Sequence, residues 1–125
     1  MELCDVWLKK ARVDLKAASS MLKEDLDDYL IAYYHLQQAI EKSLKAILVF
    51  KGQPVAKTHD LTVLCDLVEP FVISFPDCKE QVVNLTWFEA NGRYPIEIDN
   101  DDYSEEFDEY AKLTNEFYVW AESNC

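Results

Sequence analysis

The chain is poor in the residues that interrupt regular structure: its 125 residues include only 2 glycines and 4 prolines. This scarcity argues against a turn-rich β-sandwich and against low-complexity sequence. No apolar run approaches the roughly 20 residues that a membrane span needs. The first residues also lack the basic and apolar stretches of a signal peptide. We therefore predict a cytoplasmic protein that does not associate with membranes.

Motifs for metal or cofactor chemistry are missing as well. No two of the four cysteines stand as C-x-x-C, so their spacing matches no zinc module. There is no glycine-rich phosphate loop, no H-E-x-x-H and no G-x-S-x-G. Cys65 is expected to be a buried, apolar thiol. We expect no metal and no cofactor.

Basic side chains are outnumbered two to one, 12 against 24 acidic ones, which gives a net charge of −12. The imbalance lies late in the chain. Residues 1–76 hold 9 basic and 11 acidic side chains, whereas residues 77–125 hold 3 and 13. A field of this sign repels long polyanions such as DNA. The acidic end is suited to a basic partner.

The hydrophobic pattern is helical throughout, and no segment alternates with the period of two that marks a strand. We predict an all-α, up-and-down bundle of about five helices, four long and one short, in a single domain over residues 1–125. The expected helices run over about 3–22, from Tyr29 to Phe50, from a Thr58 cap to Val68, from an Asp77 capping box to Ala90, and from Asp102 onward. Gly52 and Pro54 should end the second helix, which is apolar enough to be central.

A polar stripe runs along this second helix. At 100° per residue its members fall within about 60° of Gln38; they are Tyr34, His35, Gln38, Glu41, Lys42 and Lys45. Glu41 and Lys45 have the i,i+4 spacing of a favourable ion pair. Two interpretations are open: a solvated face, or a groove in which the two lysines offer charge to a phosphate.

Two further segments are candidate anion sites. In Lys57-Thr58-His59-Asp60-Leu61, the start of the third helix offers amide hydrogens and a partial positive charge, with His59 as a donor or acid. The alternative is plain helix capping. In Asn91-Gly92-Arg93-Tyr94-Pro95, Arg93 is suited to a forked phosphate contact and Tyr94 to stacking. The alternative for Arg93 is a charge partner for the surrounding acids.

Three stretches together resemble the HEPN domain. They are Ala32-Tyr33-Tyr34-His35-Leu36-Gln37-Gln38-Ala39-Ile40-Glu41-Lys42-Ser43-Leu44-Lys45-Ala46, Thr58-His59-Asp60-Leu61 and Arg93-Tyr94-Pro95, with Trp7, Ala11, Asp14-Leu15 and Ala18 in support. The resemblance covers residues 1 to about 122. It implies a helical bundle that pairs as a homodimer, often beside a small nucleotidyltransferase in toxin–antitoxin-like modules. Other members of this family are metal-independent ribonucleases, which carry an arginine followed after four to six residues by a histidine.

That ribonuclease pattern is absent here, since His35 and His59 follow no arginine at the required spacing. We therefore interpret the chain as a nucleotide- or RNA-binding, non-catalytic partner of a minimal nucleotidyltransferase, and we assign no catalytic residue. Its predicted ligand-binding residues are Gln38, Glu41, Lys42, Lys45, His59, Arg93 and Tyr94. Two alternatives remain: a divergent ribonuclease using His59 and Arg93, and a structural dimerisation module without ligand.

Overall fold

In a computed structural model of the chain, the regular structure of the described residues is helical. The structure describes the backbone of residues 2–23, 29–91 and 100–125, and the side chains of residues 2–21, 29–89 and 104–125. The helices are α1 (Leu3–Lys23), α2 (Tyr29–Phe50), α3 (Leu61–Val68), α4 (Lys79–Val82), α5 (Trp87–Asn91) and α6 (Asn100–Ser123). Over these ranges there is no strand, so the predicted all-α bundle is confirmed. In the same parts of the chain, no helix is both long and apolar enough to cross a membrane.

Helix α2 has the predicted bounds, and its end follows from Gly52. This glycine takes φ +73°, a left-handed conformation that costs glycine little because it has no Cβ. The amide of Gln53 donates to the carbonyl of Leu48 at 2.9 Å, and that of Gly52 to Val49 at 3.0 Å. This bond pair is the Schellman arrangement, which satisfies the last carbonyls of the helix.

The predicted fourth helix is a single helical stretch with a tighter middle. Between α4 and α5, residues Val83–Thr86 form a 3₁₀ turn. The hydroxyl of Thr86 donates to the carbonyl of Val83 at 2.8 Å, and such local side-chain bonds compete with α-helical ones. The predicted capping box at Asp77 is wrong: the N-cap residue is Cys78, and it makes no side-chain capping bond.

Helix α2 is the centre of the bundle and packs against α1, α3, α5 and α6, as its apolar circumference predicts. Tyr33 is 2% exposed, stacks on Phe88 at a ring distance of 4.6 Å, and meets Phe107 edge-on at 5.2 Å. Leu36, Ile40, Leu44 and Ile47 are fully buried along the same helix. Each such side chain contributes about 1.5–3 kcal/mol of transfer free energy, so α2 anchors whatever it carries.

The aromatic residues late in the chain are mostly covered within the chain itself. Phe88, Phe117 and Tyr118 are buried, whereas Trp87 is 48% exposed. Trp120 is half-buried against Phe75 and donates its indole hydrogen to the carbonyl of Ser74 at 3.0 Å. Exposed aromatic surface on the described residues therefore gives little support to a homodimer, and the homodimer stays a prediction.

Candidate functional site

The polar stripe of α2 lies largely inside the protein rather than on a solvated face. Glu41 is 4% exposed, Lys45 6% and Gln38 9%. Helix α1 covers part of the stripe, with the ring of Trp7 5.9 Å from Nζ of Lys45. Polar side chains at such depth need hydrogen-bond partners. The structure supplies them in two separate clusters.

The first is the Glu41 cluster, made of Gln37, Gln38, Glu41, Lys45 and His59. One carboxylate oxygen of Glu41 accepts from Nε2 of Gln37 at 3.2 Å and lies 2.9 Å from Nδ1 of His59. The other accepts from Nζ of Lys45 at 3.1 Å. Gln37, which is fully buried, also donates to the backbone carbonyl of His59 at 3.2 Å and accepts from Gln38 at 2.8 Å. The cluster thus fixes both the ring and the backbone of His59 against α2.

The second is the Asp14 cluster, made of Asp14, His35 and Lys42. Asp14 of α1 is buried and lies 2.9 Å from Nδ1 of His35 through one carboxylate oxygen. Its other oxygen accepts from Nζ of Lys42. Asp14 therefore lies on the buried face of α1 although it is charged. It ties α1 to α2.

His59 differs from His35 in what it presents to solvent. The side chain of His59 is 50% exposed, against 26% for His35. A carboxylate can only accept, so Nδ1 of His59 carries the hydrogen that Glu41 receives. The neutral ring then has Nε2 as an acceptor, and the protonated ring has Nε2–H as a donor. Among the described residues no partner contacts Nε2, so this nitrogen is available to a ligand.

A second carboxylate lies near His59. Oε1 of Glu89, on α5, is 3.7 Å from Nδ1 of His59. Two carboxylates, those of Glu41 and Glu89, therefore face the same ring nitrogen. The described residues contain no group of three or more histidine, cysteine, aspartate or glutamate side chains that could hold a metal ion.

The start of α3 is less open than the sequence suggested. Its N-cap residue is Asp60, not Thr58, and the Asp60 carboxylate accepts from the amide of Thr62 at 2.9 Å. Thr58 instead accepts from the amide of Asp60 at 3.1 Å. The amide of Leu61 donates to Thr86 at 3.1 Å. These amides are therefore used within the chain, and helix capping is the interpretation that the geometry favours.

The structure brings together four of the seven predicted ligand-binding residues: Gln38, Glu41, Lys45 and His59. Lys42 belongs to the Asp14 cluster instead, and Arg93 and Tyr94 lie outside the described residues. Each lysine of the stripe is already paired with a carboxylate.

Sequence reasoning missed two members of these clusters. Gln37 lies about 100° from Gln38 on the helix and so fell outside the stripe. Asp14 stands at helical spacing between Ala11 and Ala18, both buried. A carboxylate between two apolar residues at helical spacing was the sequence signal that could have identified Asp14 as a buried polar residue.

Comparison with known proteins agrees with the helical bundle. The family model described as HEPN domain matches residues 4–124. Among solved structures, the chain is similar to the crystal structure of TT1696 from Thermus thermophilus. The two share 27% sequence identity with a TM-score of 0.79, over 100% of both chains. No curated protein matches the sequence. Because the family model spans nearly its full length, the chain belongs to the HEPN domain family.

Proposed function

We propose that this protein binds a nucleotide or RNA phosphate through His59 and acts as the non-catalytic partner of a nucleotidyltransferase. The ligand proposal rests on the difference in solvent exposure between Glu41 and His59 within the Glu41 cluster. Glu41 is 4% exposed and holds Nδ1 of His59, while half of the His59 side chain faces solvent. A ring fixed from behind loses little further freedom on binding, which favours affinity.

The contact we propose is a hydrogen bond from Nε2–H of the protonated ring to a phosphate oxygen. Charge-assisted bonds of this kind are stronger than neutral ones. Lys42 and Lys45 of α2 are each paired with a carboxylate, so their ammonium groups add little to the attraction for a phosphate. Binding should therefore weaken with added salt, because dissolved ions screen the attraction between the ring and the phosphate.

The proposed protein partner rests on family membership and on the surface of α6. Its first half carries exposed acidic side chains, among them Glu105, Glu106, Asp108 and Glu109. Charge of one sign on an exposed helix steers a partner of opposite sign. A nucleotidyltransferase with a basic face would fit this surface. Co-purification with such an enzyme, lost when Glu105 and Glu109 are both changed to lysine, is the expected result.

The ligand proposal is tested by NMR titration of the full chain with adenosine and uridine monophosphates. Wild type should show saturable shifts centred on His59 and the start of α3. His59→Ala should weaken binding about tenfold, the loss of one charged hydrogen bond. His35→Ala is the matched control, because His35 has the same Nδ1–carboxylate geometry at 2.9 Å in the other cluster. It should bind as wild type does.

Two results would count against this proposal. If both histidine variants lose affinity equally, the effect comes from the fold rather than from a contact at Nε2. If wild type binds no nucleotide at millimolar concentration, the Glu41 and Asp14 clusters are structural ties and the ligand proposal fails.

A ribonuclease is the second candidate, and the Glu41–His59 pair is what favours it. A carboxylate that orients an imidazole at 2.9 Å leaves Nε2 able to take the proton of an RNA 2′-hydroxyl. An arginine would then stabilise the charge that develops on the phosphate, and Arg93 is the candidate from sequence. RNA cleavage in the presence of a chelator, abolished by His59→Ala and by Arg93→Gln, would establish it. Intact RNA with wild type would rule it out.

A further inference from the structure

A cleft open to solvent lies between α1 and α6, and no residue of the Glu41 cluster lines it. Its volume is about 510 Å³, and it is lined by Arg12, Leu15, Lys16, Ser19, Ser20, Asn115 and Tyr118. This volume is in the range of small-molecule sites. On α1, Lys16 comes four residues after Arg12, and Ser19 and Ser20 come three and four residues after Lys16, so these residues share one helix face.

The charge of this cleft is opposite to that of the whole protein. Its two charged lining residues, Arg12 and Lys16, are both basic, although acidic side chains outnumber basic ones two to one in the sequence. Neither forms an ion pair or a side-chain hydrogen bond with any described residue. Both are exposed. Lys42 and Lys45, by contrast, are each neutralised by a carboxylate.

The rest of the lining offers hydrogen bonds and a small apolar wall. Ser19, Ser20 and Asn115 are exposed and present hydroxyl and amide groups that both donate and accept. Half-buried Leu15 and buried Tyr118 form the wall. A compact anion joined to a hydroxylated carbon chain would satisfy all of these groups together.

A neighbouring cavity differs from the cleft in its charges. This cavity of about 350 Å³ shares Arg12 and Tyr118 with the cleft and is lined also by Asp5, Lys9 and Glu122. The hydroxyl of Tyr118 donates to Glu122 at 3.2 Å. Acidic and basic side chains are balanced there, whereas the charged lining of the cleft is basic only. The part of the cleft between Arg12 and Lys16 is therefore the better place for an anion.

We propose that the α1–α6 cleft binds a small phosphate ester, with the phosphate between Arg12 and Lys16 and its hydroxylated part on Ser19, Ser20 and Asn115. The guanidinium group supplies a forked pair of donors and the ammonium group a point charge. A long nucleic acid strand is disfavoured because it would also meet the acidic field of residues 77–125. This site is independent of His59 and of the function proposed above.

NMR titration of the full chain with ribose 5-phosphate tests the site, with inorganic phosphate and ribose as the two half-ligands. Saturable shifts are expected at Ser19, Ser20 and Asn115 with ribose 5-phosphate, weaker ones with inorganic phosphate, and none with ribose. Arg12→Gln and Lys16→Gln should each weaken binding about tenfold. Both side chains are exposed, so thermal unfolding should confirm that these variants fold as wild type does.

Lys112→Gln is the matched control, since Lys112 is an exposed cation of α6 outside the cleft. It should bind as wild type does. The proposal is overturned if millimolar ribose 5-phosphate causes no shift at Ser19, Ser20 and Asn115, if ribose binds equally well, or if Lys112→Gln weakens binding as much as Arg12→Gln.

Discussion

Replacing Lys45 with methionine should destabilise the fold by about 3 kcal/mol, because it strands a buried carboxylate. The side chains of Lys45 and Glu41 are 7% and 5% exposed, and their charged atoms are 3.1 Å apart. Methionine keeps most of the lysine stem, so the packing beside Trp7 is largely retained. The experiment therefore isolates the lost charge.

The size of the effect follows from the bonds that remain. Removing one partner of a buried ion pair typically costs about 3–5 kcal/mol. Glu41 keeps the donor of Gln37 at 3.2 Å and that of His59 at 2.9 Å, which places the cost at the lower end. With a urea dependence of about 1–3 kcal/mol per molar, the midpoint of unfolding falls by about 1–3 M.

Urea unfolding followed by circular dichroism measures this cost. Lys42→Met is the comparison: its partner Asp14 is also a buried carboxylate, but the Lys42 side chain is 22% exposed, so water reaches this pair and the loss should cost less than that of Lys45. Adding Glu41→Leu to Lys45→Met should recover at least half of the stability, since it removes the stranded charge. The reasoning is refuted if Lys45→Met costs no more than Lys42→Met, or if the double variant is less stable than Lys45→Met alone.

Three further predictions concern pH, salt and assembly. Burial raises the pKa of the Cys65 thiol from 9.0 to about 12, so the thiol loses its proton at a lower pH in the unfolded chain than in the folded one. The free energy of unfolding should therefore fall as the pH rises from 9 towards 12, by up to about 1.4 kcal/mol per pH unit. Urea unfolding of Cys65→Ala should show a shallower slope there, and equal slopes would contradict this. The acidic residues 97–109 should repel one another, so the melting temperature should rise with moderate salt; a flat or falling curve would argue against repulsion. Light scattering should show a homodimer at micromolar concentration, which a monomeric mass would disprove.

The helices could be predicted from sequence because their signals are local. The bounds of α2 follow from apolar spacing and from Gly52, which was predicted to end the helix and does so with a positive φ. The cap of α3 was harder, because Thr58 and Asp60 are both good capping residues and only the path of the chain selects Asp60. Local sequence therefore defines elements well and defines their ends less well.

The site could be predicted only in part, because its contacts join residues far apart in the chain. His59 and Glu41 are 18 residues apart, and Asp14 and Lys42 are 28 apart. Which carboxylate meets which base depends on the rotation of α1 and of the Thr58–Leu61 segment relative to α2. Periodicity identifies a polar face, but it does not identify what covers that face.

The Asp14 cluster also sets the register between α1 and α2. Sliding α1 by one helical turn would move the Asp14 carboxylate about 5.4 Å, out of hydrogen-bond reach of His35 and Lys42 together. An interface made only of aliphatic side chains tolerates such a register shift far better, because one aliphatic contact then replaces another. A change at Asp14 therefore removes the partner of both His35 and Lys42 at once, and with it the polar contact that distinguishes one register of α1 on α2 from the next.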